Sequence, residues 1–216
     1  MKSDTAREYR MTARADAAVR TGERILEAAL ELFWEAPTTD ISMEAVAARA
    51  GVSVRTVIRR FGGKEGLIAA AAEYQTTKVS AQRGEAPAGD IPAAVVVLVE
   101  HYEQLGDGVL RMLAAEESMP TLAPIVENGR RLHWEWCQRV FGPYLAAFPA
   151  RTRRQRLAEV VAVTDIYTWK ILRRDASLSR TATQTTMTRM LTRLIQEEPC
   201  PESSPTPRPP EGTSSR

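Results

Sequence analysis

Between Ala45 and Lys64 the chain carries Arg49, Arg55, Arg59, Arg60 and Lys64 and no acidic side chain. Guanidinium groups are planar forks that match phosphate oxygens and the paired acceptors on the guanine edge. A cationic run without counter-charge is therefore chemistry suited to a polyanion. Spacing sharpens the reading: on a helix over Val54 to Phe61, Arg55 and Arg59 share one face, while Val57 and Phe61 share another. The segment has an apolar seam and a basic front. Read as a DNA surface, Arg55 and Arg59 address base edges, and Val54 and Ile58 suit a thymine methyl. Ser53, Thr56, Arg60 and Lys64 hold phosphates through hydroxyl, charge and helix N-terminal N–H groups. Ser42 and Arg49 complete the candidate set.

The flanking residues supply the elements that must hold this front. Ser42 is placed to cap a short helix "MEAVAARA", with Glu44 favourable in its first turn and Gly51 to end it. Ser53 caps the next helix, Gly62 and Gly63 end it, and Lys64 starts a longer one running towards Ser80 or Arg83. Upstream, Ile25, Ala29, Leu32 and Phe33 recur at helical spacing, and Pro37 stops that helix. A helix ending at glycine, a turn "GVS" and a second helix form the layout of a helix-turn-helix. Val46, Ala47, Ala50, Val52, Val57 and Phe61 are its expected brace.

The whole 216-residue chain, 44% hydrophobic and 6% aromatic, shows no sustained polar–apolar alternation and reads as all-α. Its net charge of +2 gives no global field for nucleic acid or membrane, so the case rests on the local run. Cys137 and Cys200 are far apart and imply neither a disulfide framework nor a metal site. The first twenty residues lack a signal-peptide core and the apolar run at 93–99 is too short for a bilayer, so the expectation is a cytoplasmic protein without membrane contact.

The expected organisation is a flexible basic arm over 1–20, a DNA-binding domain with its connecting helix over 21–83, a helical second domain over 84–197, and a disordered tail over 198–216. "RGEAPAGDIP" has a linker's composition, and the tail has six prolines and almost no apolar side chain to repay ordering. Five helices are expected in the second domain, at 92–105, 107–118, 122–147, 152–174 and 179–197. His101, Tyr102, Met112, Met119, His133, Trp134, Trp136, Cys137, Phe141 and Trp169 form a set suited to lining an apolar ligand cavity with a few polar anchors. Val160, Val163, Tyr167, Ile171 and Leu172 make one apolar stripe, and Met187, Met190, Leu191, Leu194 and Ile195 another.

Enzyme chemistry has little footing: two histidines, no phosphate loop and no nucleophile elbow, and no cofactor or metal is expected. Two other readings are a redox sensor acting through Cys137, beside Trp136 and near Arg130, Arg131 and Arg139, and a helical interaction protein that does not bind DNA.

The stretch from Thr21 to Ala70 resembles the N-terminal domain of the TetR family of transcriptional regulators. The "AGVS" turn at Ala50 to Ser53, then Thr56, Phe61, Lys64, Glu65 and Leu67, carry the match. "DIYTWKILRRD" and "LSR" resemble one branch of the family. The sequence departs from the pattern at Ile58, where tyrosine commonly meets phosphate, and at Arg60, where histidine is common. The resemblance implies a homodimeric repressor on a palindromic operator in double-stranded DNA, released by a small-molecule effector bound in the second domain. It also implies that the last two long helices form the dimer interface, with Val160, Val163, Tyr167, Ile171, Met187, Met190, Leu191 and Leu194 in it.

Overall fold

Cap chemistry sets the helix boundaries of the first third of the molecule. In the computed structural model, which describes residues 2–35 and 41–196, with side chains from residue 15 onward, every regular element is helical. Helix α2 (Met43–Ala50) starts where Ser42 Oγ accepts from the Ala45 N–H at 3.0 Å, and ends at Gly51, whose φ of 65° lies in the left-handed region. Helix α3 (Val54–Phe61) starts where Ser53 Oγ accepts from the Thr56 N–H at 3.2 Å. Both caps are the ones read from sequence. Helix α4 follows directly as Lys64–Gly84.

Helix α1 spans Lys2–Glu35, which corrects the expected flexible arm over 1–20. That stretch holds neither Gly nor Pro and is rich in Ala, Arg and Met, so a helix nucleated by the packed residues after Thr21 propagates backwards through it. Pro37, Cys200 and the proline-rich tail lie outside the described residues.

Helix α5 (Ile91–Ala115) is continuous where two helices, 92–105 and 107–118, are expected. Gly106 and Gly108 do not break it because each admits an indole: a Cβ on Gly106 would stand 2.6 Å from the Trp169 ring, and one on Gly108 2.2 Å from Trp34. The two glycines are seats for aromatic rings on different faces of one helix. A 3₁₀ turn (Pro120–Leu122) then leads into α6 (Ala123–Leu145).

The expected helix over 152–174 is interrupted. Helix α7 (Ala150–Thr164) stops at Asp165, whose backbone is extended and whose carboxylate accepts from the Tyr167 N–H at 2.8 Å. This cap starts α8 (Ile166–Lys170), which widens into a π turn (Ile171–Asp175) before α9 (Arg180–Gln196). The ion pairs Arg173–Glu103, Arg174–Asp107 and Arg180–Glu100 fasten this segment to α5.

Two apolar clusters organise the helices. One joins α1 to α4 through Ile25, Ala28, Val46, Ala47, Val57 and Leu67, with Val52 and Phe61 packed against it as the expected brace. The other joins α5, α6, α7, α8 and α9 around Leu98, Val99, Phe141, Val160, Trp169 and Met187. The fold is thus a small helix-turn-helix domain followed by a larger all-helical one.

The second cluster also corrects part of the expected interface. Val160, Met187 and Leu191 are fully buried in their own chain's core, where they fill space between α5, α7 and α9, so they have no surface to offer a second copy. Tyr167, Ile171 and Met190 are exposed, while Val163 and Leu194 are half-buried.

Candidate nucleic-acid interface and inner cavity

Helix α3 presents the two-sided surface that its spacing predicts. Val57 is completely buried, and Arg55, Ile58, Arg59 and Arg60 are exposed, Ile58 at 48%. Ser53 and Thr56 share a hydroxyl–hydroxyl hydrogen bond of 2.9 Å beside the start of the helix. Lys64 stands exposed at the start of α4, one turn beyond α3. Arg55, Ile58 and Arg59 therefore form one projecting face, with hydroxyl and cationic groups at its margins.

Four members of the sequence set are engaged with the protein itself. Val54 is half-buried against the apolar cluster, leaving Ile58 as the projecting aliphatic group. Arg49 turns back to α1, where its guanidinium grips Glu35 through two 2.9 Å hydrogen bonds and reaches Glu31 at 3.3 Å. That pairing raises the arginine pKa and lowers that of Glu35, so Arg49 links α2 to α1 instead of extending the basic front. Arg60 lies over Gly22 of α1, close enough that a Cβ on that residue would collide with the guanidinium. Ser42 is exposed and occupied as the α2 cap.

Behind this surface lies a cavity of about 580 Å³, partly open to solvent, between α1, α4, α5 and α6 and reaching Asp165 to Tyr167. Ile68, Ala72, Thr76, Val79 and Arg83 line it along one side of α4, recurring every three or four residues. Of the expected ligand residues, His101, Tyr102, Met112, Met119, His133, Trp134 and Trp136 line it. Cys137, Phe141 and Trp169 do not: they are buried on the far side, inside the second apolar cluster. Phe33 and Trp34 of α1 also reach the cavity. Their helical spacing reads only as packing, and nothing local in the sequence separates the two roles.

The polar end of the cavity is built around Arg83, which the sequence reading did not single out. Its Nη1 donates to His133 Nδ1 at 3.0 Å, so the proton of this neutral imidazole sits on Nε2 and is given to Thr164 Oγ1 at 3.1 Å. Thr164 in turn donates to the Val160 carbonyl at 2.8 Å. The His101 Nδ1–H faces Gln82 Oε1 at 3.3 Å. Burial and the nearby Arg83 charge push both histidines down to about 3, so both are uncharged at neutral pH. The Tyr102 and Trp136 rings each lie 5.5 Å from the guanidinium carbon.

Cys137 shares this network, with its Sγ 3.2 Å from Thr164 Oγ1. The thiol is fully buried, and desolvation pushes it up to about 12, so almost no thiolate exists at neutral pH. Burial and the scarcity of thiolate argue against the redox-sensor reading. Among the described residues no cluster of His, Cys, Asp or Glu is arranged to hold a metal ion, and no helix is long and apolar enough to cross a membrane.

Comparison with known proteins bears on the first third of the chain most directly. Residues 25–71 match the family model described as bacterial regulatory proteins, tetR family. No curated protein matches the sequence. Among solved structures, a transcriptional regulator from Rhodococcus sp. Rha1 is similar at 20% identity and a TM-score of 0.62, over 81% of this chain and 96% of that one. A protein from Rhodococcus sp. described as a TetR-family transcriptional regulator is similar at 14% identity and a TM-score of 0.61, over 82% of this chain and 99% of that one. A third, from Streptomyces coelicolor A3(2), is described as a transcriptional regulator and shares 22% identity at a TM-score of 0.55, over 80% of this chain and 99% of that one. About four-fifths of the chain thus shares the fold of these solved structures, and the helix-turn-helix segment within it is similar to the tetR family of bacterial regulatory proteins.

Proposed function

We propose that the protein is a homodimeric transcriptional repressor that leaves its operator when a small molecule occupies the inner cavity. In this reading Arg55 and Arg59 contact base edges, Ile58 meets a thymine methyl, and Ser53, Thr56, Arg60 and Lys64 hold phosphates. Arg60, lying over α1, also ties the reading head to the helix behind it.

The observation that carries the ligand response is the placement of α4. It begins at Lys64 beside the projecting face of α3, lines the cavity along one side, and ends with Arg83 at the polar end. A rigid rod of this kind converts a change at the cavity into displacement of the recognition helix. Two recognition helices must sit about 34–36 Å apart to enter successive major grooves, so a small change in spacing removes binding. An effector that moved the population from 1:99 to 99:1 would supply a differential affinity of about 5.5 kcal/mol between the two states.

The dimer seam in this proposal is narrower than the sequence stripes suggested. Tyr167, Ile171 and Met190, with the half-buried Val163 and Leu194, remain as its candidate residues. The domain limits of the proposal are those of the sequence, 21–83 for DNA binding and 84–197 for ligand and partner.

Selection of bound duplexes from a random DNA pool, with the full chain at two salt concentrations, tests the reading. The expected result is an enriched palindrome whose affinity falls steeply with salt, because bound cations displace counterions from phosphates. Absence of enrichment at low salt would sink the DNA assignment.

A further inference from the structure

Resting on the reading that the cavity holds an effector, we propose that this effector is an amphipathic carboxylate whose head group is taken by Arg83 and whose apolar body lies between α4 and α5. The head-group end is already built. The Arg83 backbone carbonyl accepts from Trp136 Nε1 at 3.0 Å and from Arg139 Nη2 at 2.9 Å, which fixes the last turn of α4 against α6. The side chain is held by His133 and lies beside the two aromatic rings, while its Nε–H is buried without a hydrogen-bond partner. A buried donor left unmade is costly, and a cation amid neutral groups more so.

Among the described residues no protein group supplies the counter-charge. Among the described residues Arg83 forms no ion pair. The two carboxylates that line the cavity are committed elsewhere: Asp165 caps α8, and Glu135 pairs with Arg131. A carboxylate from outside matches the guanidinium in both charge and fork geometry, which an alcohol or an amine cannot do.

Charge also separates a carboxylate from a phosphate. A phosphate dianion calls for a second cation, and the other arginines on the cavity wall are occupied: Arg130 by Glu116, Arg139 by the carbonyls of Ala86 and Arg83. Lys64, at the opposite end of α4, stands about 28 Å away along the helix. The remainder of the lining, including Leu105, Val109, Met112 and Leu122, is apolar and suits an alkyl or aryl body.

Calorimetric titration of the full chain with matched probes that differ only in head group tests this: decanoate, 1-decanol, decylamine and decyl phosphate. The expected result is that decanoate binds about 10–100-fold tighter than decanol, with decylamine weakest and the phosphate below decanoate. In Arg83→Met the preference of decanoate over decanol should vanish while decanol affinity holds, and Arg83→Lys should restore part of it. If that variant does not fold, the head-group series on the unaltered chain still decides. Equal or tighter binding of decanol would overturn the carboxylate assignment and leave the effector cavity standing. Failure of all four probes to bind would overturn the cavity reading together with it.

Discussion

The arginines of α3 and Arg83 carry the same charge in opposite surroundings. Arg55 and Arg59 project from a helix whose other face is packed, and water meets their charge until a partner arrives. Arg83 is half-buried against neutral histidines and aromatic rings, with its Nε shielded from water. An exposed cation is inexpensive to keep waiting and selects partners by geometry; a covered one is costly to leave alone and selects by charge. One region is suited to reading a large polyanion and the other to taking a single small anion.

The largest effect that would sharpen this contrast lies on the outer face. Arg55→Ala with Arg59→Ala should weaken binding to a selected duplex by about 100-fold or more, since each guanine contact contributes about 1–3 kcal/mol. Thermal stability should stay unchanged, because neither side chain packs. Fluorescence anisotropy and a melting curve measure the two arms, and a large drop in melting temperature would show that the face is structural.

A smaller effect concerns the inner region's tight packing. Gly106→Ala drives a methyl into the Trp169 ring and should cost about 1–3 kcal/mol of unfolding free energy, as overpacked cores do. Urea titration checks it; an unchanged midpoint would mean that the indole shifts freely and that the glycine is not its seat.

Acid should distinguish the regions next. His101 and His133 are held near 3 in the folded chain against an ordinary value of 6.5, so the unfolded chain binds more protons at any pH between those values. Stability is therefore fully present above about pH 6.5 and is lost as pH falls below it, by about 1 kcal/mol per histidine at pH 5.5. Equilibrium unfolding at pH 7.5 and 5.5 measures the loss, which His133→Gln should reduce. A flat profile would contradict the neutral, buried histidines.

The smallest effect belongs to Arg49. Because Glu35 and Glu31 already hold it, Arg49→Ala should change duplex affinity by no more than about twofold, the scale of an exposed ion pair. A loss as large as that of Arg55→Ala would return Arg49 to the DNA surface.

The helix-turn-helix was legible because its signals are local. Ser42, Gly51 and Ser53 act on backbone groups within a few residues, and the seam of Val57 and Phe61 needs only helical periodicity. The second domain was legible as helices and less so as a site. Its single long α5 hides behind two glycines, whose meaning depends on Trp169 and Trp34, distant in sequence. The break at Asp165 does have a local cause, an aspartate capping the N–H two residues on, but it sits within an otherwise continuous apolar stripe. That stripe also made Val160, Met187 and Leu191 look like interface, since periodicity marks a buried face without saying which chain buries it. Arg83 had no local mark, because its chemistry comes from α5 and α6.

The glycine seats on α5 have an optical consequence. Trp169 is buried against Gly106, Trp34 docks from α1 onto Gly108, Trp136 lies under a guanidinium, and Trp134 is 41% exposed. These four indoles occupy four different electrostatic surroundings, so the chain carries its own fluorophores. A version retaining Trp34 alone would report by emission wavelength whether the reading head stays docked on the cavity helix, without any attached label.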